Sequence, residues 1–214
     1  MEHIDQIKKL SEKGVDENDD DIFGLHGTSI EAIKYLAKYG TMPTTGDTKY
    51  HFHFCPKAET SYWNGPYERA REYARINAVR NALIAILEEN GLQLNRSIID
   101  EILDFGEEGN LPGGLLISDS GKELCKKIMS CLDIKYEYRF DKFYRELQNN
   151  NRGLVLGISP KIKSIAVPGP HRGDLMVVVP QGLPLDYISG IEPEGQLEWN
   201  EIFDNDLKNV RLLY

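Results

Sequence analysis

Phe23-Gly24-Leu25-His26-Gly27-Thr28-Ser29 is the stretch from which the predicted fold is built. Residues 22–25 are typical of a short buried strand. The apolar residues after the stretch follow helical spacing, which predicts a helix that ends at Gly40, because glycine suits a helix C-terminus. Thr28 is predicted to cap this helix, and Glu31, three residues later, closes a capping box. The stretch therefore predicts a strand-to-helix junction at which an imidazole and a bare glycine backbone are available to a small planar ligand.

Length and composition are those of an ordinary globular domain. The 214 residues suffice for one domain, or for one domain with an elaborate insertion. The formal net charge of −9 argues against a broad surface for nucleic-acid backbones, although one local nucleic-acid site stays open. Acidic residues concentrate at 16–21, which is predicted to be a solvated linker between an N-terminal helix and the first strand.

The cysteines and the apolar segments indicate a compartment. Cys55, Cys125 and Cys131 lack metal-ligand spacing and cannot all pair with one another, which favours a reducing compartment and structural thiols. No segment has the length of a membrane span, and residues 1–13 lack the apolar core of a signal peptide. We expect no membrane partner, and a cytoplasmic protein or an effector exported into a host cytosol.

The remaining patterns predict helices early in the chain and short strands late. The predicted helices cover 4–13, 30–39, 68–90, 97–105 and 122–132, while residues 136–148 suit a helix or a strand. The predicted strands after the opening stretch cover 50–54, 153–158, 163–167, 174–179 and 187–191. This order predicts an α+β domain with a mainly antiparallel sheet. The chain divides into an N-terminal helix and acidic linker, 1–21, and a domain, 22–214, with a mostly helical insertion at about 91–151.

His26-Gly27-Thr28 after a short apolar strand resembles the first nucleotide-binding motif of the ADP-ribosyltransferases, in the branch that includes the poly(ADP-ribose) polymerases. Two further segments follow in the family's order: a strand at 52–55 with helix residues 70–74, and Asp174 opening a late hydrophobic strand. The resemblance covers most of the chain outside the N-terminus and the insertion. It implies a split, mainly antiparallel sheet with flanking helices, and NAD as co-substrate between the two halves of the sheet.

Transfer of ADP-ribose breaks the bond between nicotinamide and its ribose, so the site must grip the carboxamide, hold the ring and stabilise positive charge. The resemblance implies that the backbone of Gly27 binds the carboxamide, that His26 hydrogen-bonds the adenosine-side ribose, and that Thr28 touches a hydroxyl. It aligns Asp174 with the family's catalytic glutamate, which makes Asp174 and His26 the predicted catalytic residues. Aspartate is shorter by one methylene, and a misplacement near 1 Å costs on the order of a hundredfold in rate.

Four aromatic side chains are candidates for holding the nicotinamide ring. His53 stands where the family has tyrosine if Phe54 is aligned with the family's phenylalanine. Tyr73 matches the family's helical aromatic residue, and the longer loop between these segments also offers Tyr62. Strand and helix aromatics are more often core residues, so a core role for Phe54 or Tyr73 stays open.

Two other interpretations involve charged or metal-binding residues. Glu192-Pro193-Glu194 superficially imitates the paired glutamates of the arginine-specific toxin branch, but it is predicted to follow its strand. His51 and His53 point the same way from one strand and form a conceivable metal pair. Without further ligands nearby, partly buried strand histidines are favoured, and no metal is expected.

The predicted function is that of an NAD-dependent mono-ADP-ribosyltransferase, a pentosyltransferase acting on a protein or nucleic-acid acceptor. A first alternative is a weakly active or inactive module that binds NAD or ADP-ribose, which His53 and Asp174 favour because both depart from the family pattern. A second alternative is a relative of the NAD-dependent RNA 2′-phosphotransferases, against which the acidic balance weighs. Asp174 is also typical of a plain polar residue at a strand start after a turn.

Overall fold

The computed structural model describes residues 2–44, 50–93, 95–107, 118–131, 147, 153–171, 173–193 and 203. The chain divides into two compact units. The first contains Met1–Asn77 and Arg152–Leu212 with Tyr214, and the second contains Ala78–Asn151 with Leu213. The division lies inside a long helix, whereas the insertion predicted from the sequence begins at about 91.

The first unit contains all eight strands that the structure describes. Its elements are α1 (Glu2–Lys13), β1 (Gly24–Ser29), α2 (Ile30–Tyr39), β2 (Thr41–Met42), β3 (His51–Pro56), β4 (Gly153–Ile158), β5 (Val167–Pro168), β6 (Leu175–Val178), β7 (Leu183–Pro184) and β8 (Ile188–Pro193). The helix α3 (Gly65–Glu89) begins in this unit, and α4 (Arg96–Glu107) and α5 (Asp119–Cys131) belong to the second. None of the described helices has the length and apolarity needed to cross a bilayer.

The described strands pair antiparallel throughout, which confirms the predicted α+β class. Six of them form one sheet in the order β5-β6-β3-β1-β4-β8, and β2 pairs with β7 separately. All of β1, from Gly24 to Ser29, pairs with β4. Its pairing with β3 includes only Gly24 and Leu25, while β3 goes on pairing with β6 along His51 to Phe54. The ladder between β1 and β3 therefore ends after Leu25.

One face of the sheet packs on the first two helices. Phe52 of β3 and Val177 of β6 are paired and buried on this face. Ile7 of α1 and Ile33 and Leu36 of α2 belong to the same cluster of buried side chains. The apolar spacing within both helices thus supplies the main core.

The helix α3 packs directly on the backbone of the neighbouring strands β1 and β4 because both carry glycine at the contact. A Cβ atom at Gly27 of β1 would overlap the backbone carbonyl oxygen of Ala70. A Cβ atom at Gly153 of β4 would lie 2.5 Å from the carbonyl oxygen of Ala74. Two alanines one turn apart on the helix therefore fill the space of two missing side chains on neighbouring strands.

The strand β1 is longer than predicted. It runs to Ser29 and includes the whole His26-Gly27-Thr28 motif, because pairing with β4 continues through Thr28. The predicted cap at Thr28 is therefore wrong: Ser29 caps α2, and its Oγ accepts a hydrogen bond from the Ala32 backbone N–H at 3.4 Å. Gly40 ends the helix as predicted, with a φ of 72°.

The other predicted elements have mixed outcomes. The strand at 153–158 is confirmed, and the helices at 4–13, 68–90, 97–105 and 122–132 are confirmed with shifted ends. The strand predicted at 163–167 is wrong: Pro160–Ser164 forms a 3₁₀ turn, with Ser159 as its cap and proline in its first position, and β5 keeps only two residues. The element predicted at 136–148 lies outside the described residues apart from Leu147.

Gly153→Ala tests the contact between α3 and the sheet. We expect it to lower the free energy of unfolding by ~3 kcal/mol or more, because the added methyl group meets the helix backbone and cannot be relieved by a side-chain rotation. Gly14→Ala in the same unit is the matched control: nothing lies near its added methyl group, so its cost is about 1 kcal/mol for a left-handed φ. Urea unfolding followed by circular dichroism measures both, and equal midpoints would contradict the close contact.

Candidate functional site

His26 lies where β1 and β3 separate. Its Nδ1 is 2.7 Å from the carbonyl oxygen of His53, and its ring packs on Phe52 with the ring centroids 4.3 Å apart. Because a carbonyl oxygen can only accept, Nδ1 carries the proton, and the neutral ring presents Nε2 as an acceptor. Burial lowers the pKa of His26 to about 4. The ring is therefore uncharged near neutral pH and bridges the two strands where their backbone ladder has ended.

A cavity of about 90 Å³ lies beside this hydrogen bond. Its polar lining is contributed by six side chains: His26, Thr28, Ser29, His51, His53 and Asn77. Within the described part of the chain, His53 Nδ1 is a buried side-chain atom without a hydrogen-bond partner. Small-molecule sites usually enclose ~300–1,000 Å³, so this cavity is too small to enclose a whole dinucleotide.

The backbone of Gly27 faces a side chain, Asn77, that no sequence motif singles out. Asn77 of α3 donates a hydrogen bond from Nδ2 to the carbonyl oxygen of Gly27 at 3.1 Å. Asn77 follows Ala70 by seven residues, which puts both on the face of α3 that packs on β1. The seven-residue spacing is the feature of the sequence that indicates this position of Asn77. A single polar residue in a long helix, however, forms no recognisable motif. The binding of a nicotinamide carboxamide by the backbone of Gly27 stays a prediction. In this structure the Gly27 carbonyl accepts its hydrogen bond from the carboxamide of Asn77.

Asp174 lies in the turn between β5 and β6. Its backbone N–H donates to the carbonyl of His171 at 3.2 Å, and its carbonyl accepts from the N–H of Gly169 at 2.8 Å. The side chain is buried, with 6% exposed. The Tyr62 hydroxyl donates to Oδ1 at 2.5 Å, and the Sγ atom of Cys55 lies 3.8 Å from the same oxygen. The carboxylate is therefore bonded by β3 and by the loop that follows it.

Burial and the Asp174 carboxylate together set the ionisation of its neighbours. Burial raises the pKa of Cys55 to about 12, and the nearby negative charge of Asp174 acts in the same direction. The thiol stays protonated and is a donor here, not a nucleophile. Burial and the hydrogen bond to Asp174 raise the pKa of the Tyr62 phenol well above its usual range. Burial lowers the pKa of His53, and the charge of Asp174 opposes that shift.

The predicted ring-holding aromatics divide between the core and the site. Phe54 is 2% exposed and packs edge-on against Phe23, with the ring centroids 6.0 Å apart. Alternate residues of a strand face opposite sides, so Phe54 packs in the core while His53 faces the cavity. The ring-holding role predicted for Phe54 is therefore corrected: Phe54 packs in the core. Tyr73 is covered on one face by the guanidinium of Arg69, 4.5 Å from the ring centroid, which also bonds its hydroxyl at 2.8 Å.

The paired-glutamate interpretation is corrected by the position of Glu192. This residue lies within β8 and not after it, and three strands separate β8 from β6. Its carboxylate is 3.7 Å from Nη2 of Arg71 and bonds the hydroxyl of Tyr67, so it belongs to an ion-pair cluster at the far edge of the sheet.

His51 and His53 lie on the same side of β3 as predicted, with ring centroids 6.2 Å apart. Among the residues described by the structure, no group of three or more potential ligands is arranged for a metal ion. Both histidines are partly buried and line the cavity.

The predicted site residues form two neighbouring groups. His26, Thr28 and His53 line the cavity, whereas Tyr62 bonds Asp174. His53 connects the two groups, because its carbonyl bonds His26 and its imidazole is close enough to Asp174 for that charge to shift its pKa. No protein-family model, curated protein or solved structure matches the chain.

The ionisation of His26 predicts how stability depends on pH. The unfolded ring takes up a proton as the pH falls through 6.5, whereas the folded ring does so only near pH 4. The free energy of unfolding should therefore fall by up to ~3 kcal/mol as the pH is lowered across this window. Urea unfolding at a series of pH values measures the fall. In His26→Gln, which keeps a donor for the His53 carbonyl, the pH dependence should be flatter, and parallel curves for the two proteins would contradict the assignment.

Proposed function

We propose that the protein is an NAD-dependent mono-ADP-ribosyltransferase in which the dinucleotide binds along the line where β1 and β3 separate. The observation that carries this proposal is the position of three residues far apart in the sequence. His26 lies on β1, His53 on β3, and Asp174 directly before β6, and these strands are neighbours in the sheet. The short ladder between β1 and β3, with a cavity beside its end, supports the split sheet that the resemblance implies.

In the proposed reaction, the bond between nicotinamide N1 and ribose C1′ breaks. The bonding electron pair leaves with nicotinamide, which becomes neutral, and positive charge spreads over C1′ and the ribose ring oxygen. A nucleophilic atom of the acceptor then bonds C1′ and loses its proton. Asp174 stabilises the charge on the sugar, accepts a hydrogen bond from a ribose hydroxyl and assists removal of the acceptor proton.

The ionisation of His26 suits its proposed role as a ribose ligand. Its Nδ1 is occupied by the His53 carbonyl, so Nε2 accepts a hydrogen bond from a hydroxyl of the adenosine-side ribose. Thr28 lines the same cavity and adds a hydroxyl. In this proposal the cavity binds the adenosine-side ribose of the dinucleotide, and the nicotinamide-side ribose lies toward Asp174.

A second candidate function is a module that binds NAD or ADP-ribose without turnover. The burial of Asp174 and its two bonds to Tyr62 and Cys55 favour it, because these contacts limit access to the carboxylate.

Incubation of the purified protein with NAD and a cell lysate tests the proposal. NAD labelled in its adenine should transfer label to macromolecules with release of nicotinamide, and Asp174→Asn should reduce both by about a hundredfold or more, because it removes the charge that stabilises the developing cation. Asp186→Asn, which changes an exposed carboxylate in the 3₁₀ turn Leu185–Tyr187, should retain full activity.

The outcomes separate the two candidates. Calorimetric binding of NAD without nicotinamide release would favour the binding module. Absence of both binding and release would contradict the shared site.

A further inference from the structure

Building on the proposed function, we infer that Tyr62 is a positioning residue for Asp174: its hydroxyl fixes which of the two carboxylate oxygens faces the substrate. Tyr62 does not need to contact NAD for this role. It acts through the carboxylate it bonds, in contrast to the ring-holding role that the sequence predicts for it.

The hydrogen bonds at Asp174 are one-sided. The Tyr62 hydroxyl lies 2.5 Å from Oδ1 and the Cys55 thiol 3.8 Å from the same atom. These are the donors to this carboxylate among the side chains that the structure describes, and both use one oxygen. Oδ2 is therefore the oxygen that a ribose hydroxyl or an acceptor proton would meet.

The loop that carries Tyr62 is packed against the turn that carries Asp174. Gly173 precedes Asp174 with a φ of 87°, and a Cβ atom there would lie 2.9 Å from Cγ of Glu59 and from Oγ of Ser61. The loop is also tied to itself, because the Ser61 N–H donates to the Glu59 carboxylate at 2.7 Å. The segment that carries Tyr62 therefore lies directly beside the turn, with no room between them for a side chain at residue 173.

The chemistry of the pair suits positioning. Burial and the hydrogen bond to Asp174 keep the pKa of Tyr62 well above its usual range, so the phenol remains a donor at the pH of any ordinary assay. An aspartate has one methylene less than a glutamate with which to reach a ribose, and a misplacement near 1 Å costs on the order of a hundredfold in rate. A fixed orientation of the carboxylate therefore contributes more to the rate with aspartate than it would with the longer glutamate.

A double-mutant cycle on nicotinamide release tests the inference. The proteins are wild type, Tyr62→Phe, Asp174→Asn and the double variant, assayed at high protein concentration so that slow turnover is measurable. We expect Tyr62→Phe to lower kcat by about 10- to 100-fold with KM changed less than about twofold. In the Asp174→Asn background the same change should have no further effect, since the carboxylate through which Tyr62 acts is gone.

Tyr67→Phe is the matched control, because its hydroxyl bonds Glu192 at the other edge of the sheet. It should leave kcat unchanged. Cys55→Ala, which removes the weaker donor to the same oxygen, should reduce kcat less than Tyr62→Phe does. If Tyr62→Phe folds poorly, Cys55→Ala is carried through the same cycle: its loss of kcat should vanish in the Asp174→Asn background, and an equal loss in both backgrounds would overturn the inference.

Equal losses from Tyr62→Phe in both backgrounds would overturn the inference and indicate a purely structural role. A raised KM with unchanged kcat would also overturn it, in favour of direct contact with the substrate. A wild-type protein that releases no nicotinamide would instead contradict the proposed function, so the two failures are distinguishable.

Discussion

The arrangement of the site depends on the close approach of α3 to the neighbouring strands β1 and β4. Gly27 and Gly153 have no side chains at this contact, and Ala70 and Ala74 occupy the space. The same helix face brings Asn77 to the carbonyl of Gly27. Side chains alternate along a strand. Because Gly27 faces α3, the preceding residue, His26, points to the other side of β1, where its ring packs on Phe52 of β3. One packing contact thus orients the residues of the opening motif.

A side chain bridges β1 and β3 beyond the end of their backbone ladder. The backbone ladder between them ends after Leu25, and the His26 imidazole bonds the carbonyl of His53 beyond that point. A side chain in place of a backbone donor leaves room for a cavity and keeps a ring nitrogen available as an acceptor. The same arrangement costs stability in acid, because burial disfavours the protonated ring.

Local chemistry was enough to predict some features and not others. Gly40 as a helix end and the strand at 153–158 follow from single residues and short patterns, and both are confirmed. The cap at Thr28 was wrong because pairing with a strand far away in the sequence extends β1 beyond its local pattern. Asn77 and the contact of Tyr62 with Asp174 were not predicted, since each depends on how a helix or loop packs in three dimensions and not on sequence spacing.

In the proposed function, NAD binds where β1 and β3 separate, with its adenosine-side ribose at His26 and its nicotinamide-side ribose at Asp174. A crystal structure of the Asp174→Asn variant with NAD tests this placement of the dinucleotide, because slow turnover preserves it. We expect a ribose hydroxyl about 3 Å from Nε2 of His26 and the second ribose beside residue 174. A dinucleotide bound elsewhere on the protein, or this region empty at saturating NAD, would contradict it.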